Sequence, residues 1–276
     1  MTTRIPLEDS WSDVIRKARR GLGLSEADLA RQCGLQVEPI LSLERGSLDP
    51  ESLAKIALPL KLQPARLLAM SRGEYHPGVL QLPVSGVGGV DMFTSPWNDF
   101  EVHSYLAWDA RTSVAVAFDT GSDASELLQF LKKNGLKLEL ILLTHGHGDH
   151  VFELDRMVEA TGAKAWIGNR EHLDGVENFA AGKEFTLGSL RIETRSTWGH
   201  ASGGISYVIY GLERTVAIVG DALFAGSMGG PMISYEACLA TNRKAIFALP
   251  PDTLLCPGHG PLTTVALEAA HNPFFP

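Results

Sequence analysis

Cysteine is scarce in this 276-residue chain: Cys33, Cys238 and Cys256 are the full set, and none has CxxC spacing. That argues against a disulfide framework and a thiolate zinc site, and makes a reducing cytoplasm the expected compartment. There is no uncharged run of roughly eighteen apolar residues, and the opening MTTRIPLEDSW has no apolar stretch of the kind a secretory leader needs. Neither membrane spanning nor secretion is therefore expected. A G-x-S-x-G elbow, which would present a nucleophilic serine, is also missing. What is present is 45% apolar content, enough to bury a substantial core.

Charge is unevenly distributed. Residues 1–76 hold 11 basic and 10 acidic side chains and residues 77–276 hold 13 and 22, so +1 and −9 make up the net −8. The two parts are expected to have different surfaces and different roles. Over 10–72, leucine, isoleucine and alanine recur at helical spacing, with start signals at Ser25 and Asp28, at Asp49-Pro50 and at Gln63-Pro64. Four or five short helices are predicted there. The glycines and prolines of 71–89 then break any helix, placing a boundary near residue 76.

Beyond it, β-rich runs recur at 102–108, 113–118, 138–144, 163–168, 190–196, 205–211, 215–220 and 252–258, with helical candidates at 123–134, 150–161 and 235–249. Strands mixed with helices predict an α/β arrangement of sheets covered by helices.

The segment LLTHGHGDH, residues 142–150, places three of the nine histidines within six positions at the end of a predicted buried strand. Loops at strand ends are where α/β sheets present functional groups. In extended chain, residues i and i+2 point the same way, so His145 and His147 can converge on one ion, while Asp149 and His150 open the next helix and can face a second. Imidazoles and a carboxylate suit zinc, iron or manganese. His200 in TWGHAS, Asp221 in VGDALF and His259 in PGHGP repeat the theme: a ligand type just past a predicted strand, with glycine beside it.

In that order and at those intervals, THGHGDH, TWGHASGGISY, VGDALFAG and PGHGP resemble the metallo-β-lactamase fold over about residues 80–276. The resemblance implies an αββα sandwich with a dinuclear centre. His145, His147 and His200 would hold one divalent ion, Asp149, His150 and His259 the other, and Asp221 would bridge them. FDTG, 118–121, resembles the family's early strand end, so Asp119 would orient a ligand histidine from behind. Two cations, zinc first and iron or manganese as alternatives, would lower the pKa of shared water and polarise a carbonyl. Asp149 would then ligate and orient the nucleophilic water. The His/Asp set is similar to that of glyoxalase II and implies hydrolysis of a thioester, ester or lactone.

Only 17 residues follow His259, and past Arg214 the basic residues are Arg243 and Lys244 alone, so glutathione is not the expected carrier. A persulfide dioxygenase with one iron on the His145, His200 and Asp221 positions is the alternative. Met92, Phe93, Trp97, Met228 and Tyr235 are expected either to form an apolar acyl pocket at the mouth or to pack the loops. His76, His103, His172 and His271 are expected to be ordinary surface or hydrogen-bonded histidines.

Residues 14–70 resemble the helix-turn-helix domain of phage-repressor-like regulators, carried by the helix from Ser25, the Cys33-Gly34 turn and ILSLERG, with Leu29, Leu35, Ile40 and Leu43 as its core. The expected organisation is thus a small all-α domain over 1–76 and the sandwich over 77–276. Gln36 is the candidate to read an adenine, and Arg45, with Arg16, Lys17, Arg19 and Arg20, to touch phosphates. Yet Val37, Glu38, Pro39 and Leu41 offer little to a groove, and a module at +1 supplies little counterion release. Two roles follow: a DNA-binding regulator whose larger domain senses a metabolite, or an enzyme whose small domain pairs subunits into a homodimer. A small acyl substrate is the expected partner, with DNA as a second and no membrane.

Overall fold

The computed structural model describes residues 4–275. It begins with five short helices: α1 (Trp11–Gly21), α2 (Glu26–Cys33), α3 (Val37–Glu44), α4 (Pro50–Ala57) and α5 (Pro64–Ser71). Their limits follow from local chemistry. Ser10 with Asp13, and Ser25 with Asp28, form capping boxes on α1 and α2. Asp49 caps α4, and Pro50 and Pro64 occupy first turns, where a missing N–H costs nothing.

Two sheets follow. The first runs in spatial order through β1 (Val84–Ser85), β2 (Gly88–Trp97), β3 (Phe100–Asp109), β4 (Val114–Phe118), β5 (Lys137–Leu142), β6 (Lys164–Gly168) and β7 (Glu177–Phe179). The helices α6 (Ser125–Asn134), α7 (Gly148–Val151) and α8 (Leu154–Thr161) connect its parallel strands. The second sheet contains β8 (Glu184–Leu187), β9 (Leu190–Ser196), β10 (Ile205–Tyr210), β11 (Val216–Gly220), β12 (Leu254–Pro257) and β13 (Thr263–Thr264), with α9 (Tyr235–Ala245) and α10 (Val265–His271) on its outer side.

Three apolar layers hold the stack together. Between the sheets, Tyr105, Val116, Phe118 and Leu142 meet Ile192, Tyr207, Ile218 and Leu254. Outside the first sheet, Leu106, Ala117 and Ile141 pack with Leu127 and Leu131 of α6 and Met157 of α8. Outside the second sheet, Val208, Ala217, Val219 and Leu255 share one cluster with Tyr235 and Leu239 of α9, with Phe274 and Phe275, and with Val14, Leu29, Ile56 and Leu67 of the N-terminal helices. The helical module thus completes the outer layer of the sandwich. Polar contacts fix it there: Gln63 N–H donates to Pro273 O (2.8 Å), Tyr235 Oη to Leu60 O (3.2 Å), and Tyr75 Oη to buried Glu268.

Three of the four basic side chains on α1 are bonded within the chain, while Arg20 is exposed. Arg19, 5% exposed, bonds Glu44, Glu26 and Leu24 O; Lys17 pairs with Asp9; Arg16 reaches Asp13 and Glu44 O. For Arg16, Lys17 and Arg19 this corrects the expected phosphate contacts, since each is bonded to carboxylates or carbonyls of its own chain. Gln36 is exposed at the start of α3, and exposed Arg45 is paired with Glu38.

Candidate metal centre

The ends of β5, β9, β11 and β12 gather at one edge of the sandwich, where two buried tyrosines reach across the layers to hold them. Tyr207 Oη of the second sheet donates to Leu143 O, just before Thr144-His145, and Tyr105 Oη of the first sheet donates to Pro257 O, just before Gly258-His259, both at 2.7 Å. His103, buried at 1% exposure, bonds Gly260 O through Nε2 (2.9 Å) and donates its backbone N–H to Gly258 O. Gly258 is needed for close approach, since a Cβ there would lie 2.3 Å from Asp221 Oδ1 and 2.6 Å from His150 Cε1.

Within this frame the seven residues singled out in the sequence converge. His147 Nδ1 stands 2.9 Å from His145 Nε2 and 3.0 Å from His200 Nε2. His259 Nε2 and His150 Nε2 lie 3.3 and 3.6 Å from Asp149 Oδ2. Asp221 sits between the two groups, Oδ1 3.3 Å from His150 and Oδ2 3.4 Å from His200 and 3.5 Å from His259. Ligand atoms about 3 Å apart are what one ion some 2.0–2.2 Å from each would require.

The outer ring nitrogens are spoken for. His150 Nδ1 bonds Asp119 Oδ2 (2.8 Å), His200 Nδ1 bonds Gly230 O (2.7 Å), His259 Nδ1 bonds Glu101 O (2.6 Å) and His145 Nδ1 bonds Thr144 Oγ1 (3.0 Å). Each such bond leaves Nε2 as the acceptor that faces the centre. Asp119 also accepts from the Thr144 N–H (2.7 Å) and hydroxyl (2.8 Å), and its backbone holds φ at +56°, uncommon for a residue other than glycine.

The donor set fits cations. His150 Nε2 and Asp221 Oδ1 are buried with no hydrogen-bond partner in the protein, the condition of ligands facing an ion. Burial opposes charge on His150, His259 and Asp221 alike. Nevertheless His150 and His259 hold Asp221 well below the usual carboxylate range, while Asp221 and its neighbours hold His150 well above the usual histidine value and push His259 up to about 10. His145 is held far down by burial, with His150 adding to the effect. The carboxylates therefore demand positive charge among the imidazoles, a demand that divalent cations meet with the rings neutral.

A cavity of about 400 Å³ opens over Asp149, Asp221 and His259, lined also by Glu8, Lys17, Phe100, Phe224 and Met232. Of the two expectations for the five apolar residues, a pocket at the mouth or packing, the structure favours packing for most. Phe93, Met228 and Tyr235 belong to the cores, Met92 lines a separate cavity beside Leu80 and Leu82, and only Trp97 stands at the metal loop, against Gly148 and Phe152. Nothing in the chain's local pattern marks Glu8, Lys17 or Phe224 for the site, because only the docking of the helical module brings the first two there. Among the remaining histidines, His76 bonds Ile5 O, His271 stacks on Tyr75, and His172 is exposed.

Comparison with known proteins agrees with this geometry. The chain is 28% identical over 204 residues to hydroxyacylglutathione hydrolase GloC of Haemophilus influenzae, covering 65% of this chain and 95% of that protein. Among solved structures, the BLEG-1 B3 metallo-beta-lactamase superposes with a TM-score of 0.59 at 28% identity, covering 67% of this chain and 99% of that one. TTHA1623, crystallised in a di-iron-bound form, superposes with a TM-score of 0.54 at 26% identity, covering 66% and 100%. Residues 97–259, from the end of β2 through the last of the converging histidines, match the Metallo-beta-lactamase superfamily, and the chain belongs to that family.

Proposed function

We propose that the protein is a dinuclear metal-dependent hydrolase of an acyl thioester, ester or lactone. The observation that carries this reading is the pair of three-residue groups, His145/His147/His200 and Asp149/His150/His259, flanking the shared carboxylate of Asp221. When bound, two divalent cations supply Lewis acidity toward a carbonyl oxygen and water that is deprotonated near neutral pH. The rest falls to the chain. Asp149 lines the cavity and its carboxylate can hold the attacking water and accept its proton. Asp119 and Thr144 keep His150 and His145 in the tautomers that leave Nε2 free. Phe100, Phe224 and Met232 give the cavity an apolar wall suited to an acyl group.

The likeness to a hydroxyacylglutathione hydrolase supports a thioester among these substrates. The second group, with Asp149 Oδ2 3.3 Å from His259 Nε2 and 3.6 Å from His150 Nε2, favours this reading over one iron held by His145, His200 and Asp221, which would leave Asp149 and His259 without a role. The test is turnover by the zinc-loaded and iron-loaded protein on an acyl thioester, a lactone and a persulfide. Hydrolysis of a thioester or lactone that falls at least a hundredfold in Asp149→Asn is expected. Two bound metals with no ester or thioester turnover would refute the proposal.

A further inference from the structure

The N-terminal segment does more than cap the second sheet. Glu8 lies against the loop that carries His259: a Cβ on Gly260 would lie 3.0 Å from Glu8 N and 3.3 Å from Glu8 Cβ. That position is fixed from both sides. His76 Nε2 bonds Ile5 O, Ser227 Oγ donates to Asp9 (2.6 Å), Lys17 pairs with Asp9, and Ser10 is committed to its capping box on α1. Glu8 and Lys17 thereby line the same cavity as Asp149 and His259.

The two charges are not equivalent. Lys17 is saturated, since its Nζ meets Asp9, donates to Met228 O at 2.9 Å and lies 5.1 Å from the centre of the Phe224 ring. The half-buried carboxylate of Glu8 has no hydrogen-bond or ion-pair partner among the described residues. A carboxylate fixed on a rigid wall, partly desolvated and unpaired, is poised to receive a cation or strong donor from a ligand. The rim around it is apolar, with Phe100 40% and Met232 71% exposed.

We propose that the helical module is the specificity wall of the metal site, and that Glu8 selects acyl substrates bearing an ammonium or similar cationic group near the scissile carbonyl. The choice of an acyl substrate rests on the hydrolase reading above; the assignment of Glu8 to a cationic ligand group does not. The module's place in the chain then has a catalytic reason, because the metal ligands come from the sandwich and the discriminating charge from the segment that leads into α1.

The test uses the full-length, zinc-loaded protein and two small thiols of similar size whose sulfur can ligate zinc, 2-aminoethanethiol and 2-mercaptoethanol. Calorimetry gives the ratio of their dissociation constants in wild type, Glu8→Gln and Glu8→Lys, and the thiols' own acidities cancel between variants. The preference for the aminothiol should fall about tenfold in Glu8→Gln, the yield of a half-buried ion pair after desolvation, and further in Glu8→Lys. An unchanged ratio would overturn the proposal. So would weaker zinc binding in Glu8→Gln without a change in ratio, since Glu8 would then only balance metal charge. If the ratios shift as expected but the wild type hydrolyses neither a neutral nor an amine-bearing acyl thioester, the hydrolase reading fails while Glu8 remains the cation-selecting group.

Discussion

Replacing Asp119 by asparagine should weaken one of two metal sites while leaving the fold intact, and the structure gives the reason atom by atom. Asp119 Oδ1 accepts the Thr144 backbone N–H, and Oδ2 accepts the Thr144 hydroxyl and His150 Nδ1–H. Asparagine keeps the shape and tolerates φ of +56°. Its amide oxygen must still face the Thr144 N–H, which turns the NH₂ toward His150 Nδ1. That nitrogen must then become an acceptor, moving the ring proton to Nε2, the atom that faces the ligand cluster. Loss of such an orienting partner typically costs 10–100-fold in metal affinity, or about 1.4–2.7 kcal/mol. Asp119→Ala is harsher, leaving up to three buried donors unpaired at about 1–3 kcal/mol each, with a left-handed backbone that alanine disfavours. Chelator competition with zinc, alongside thermal unfolding, reads both effects. Two zinc equivalents bound to Asp119→Asn at wild-type affinity would refute the role given to this carboxylate.

Other consequences can be measured in the same way. In Gly258→Ala the new methyl group meets Asp221 and His150, so metal affinity should fall at least tenfold, with about 1–3 kcal/mol of overpacking in the denaturant midpoint; wild-type values for both would contradict the close approach. Asp109 accepts from Ser189, Arg111 (2.7 Å) and Thr112 (3.1 Å) N–H groups, and these bonds, the one from Ser189 foremost, hold its carboxyl well below the usual range. Its folded value being depressed, its contribution to stability is present above the unfolded value near ~3.9 and is lost as pH falls below it. Unfolding between pH 5 and 2 should therefore depend less steeply on pH in Asp109→Asn, and an unchanged slope would remove Asp109 from the account. Deleting residues 1–76 should leave an insoluble or molten fragment. Baring Tyr235, Phe274 and Phe275, each at 3% exposure or less, forfeits about 5–9 kcal/mol, comparable to a domain's whole stability. A soluble fragment with a cooperative melt like that of the full chain would show that the shared cluster is dispensable.

The ligand set was legible because its signals are local: glycine-flanked histidine and aspartate at the ends of apolar runs, as in LELILLT before His145 and TVAIVG before Asp221. That sheets are covered by helices was legible from the alternation of strand and helix patterns, whereas the αββα order came from the resemblance carried by the ligand motifs. The strand Gly88–Trp97 was not, since its opening glycines read as loop. In the fold they pair with β3 along the whole strand, and Gly89 lies beneath the Trp108 ring, where a Cβ would be 2.6 Å from Cζ2. Phe93, Met228 and Tyr235 could not be assigned to pocket or core, because apolar character satisfies both. The contacts of Glu8, Lys17 and Arg19 were hidden for a third reason. Each depends on how elements distant in the chain dock, and a charge that will be neutralised by a remote carboxylate carries the same local signature as one free to bind phosphate.

The central claim is that two cations share Asp221, and a zinc titration of the metal-free, full-length protein followed by elemental analysis tests it most directly. Two equivalents per chain should be retained after desalting, falling to one in either His147→Ala or His259→Ala, with the partner group still occupied. Retention of a single equivalent in the wild type, unchanged when His259 is removed, would contradict the dinuclear centre.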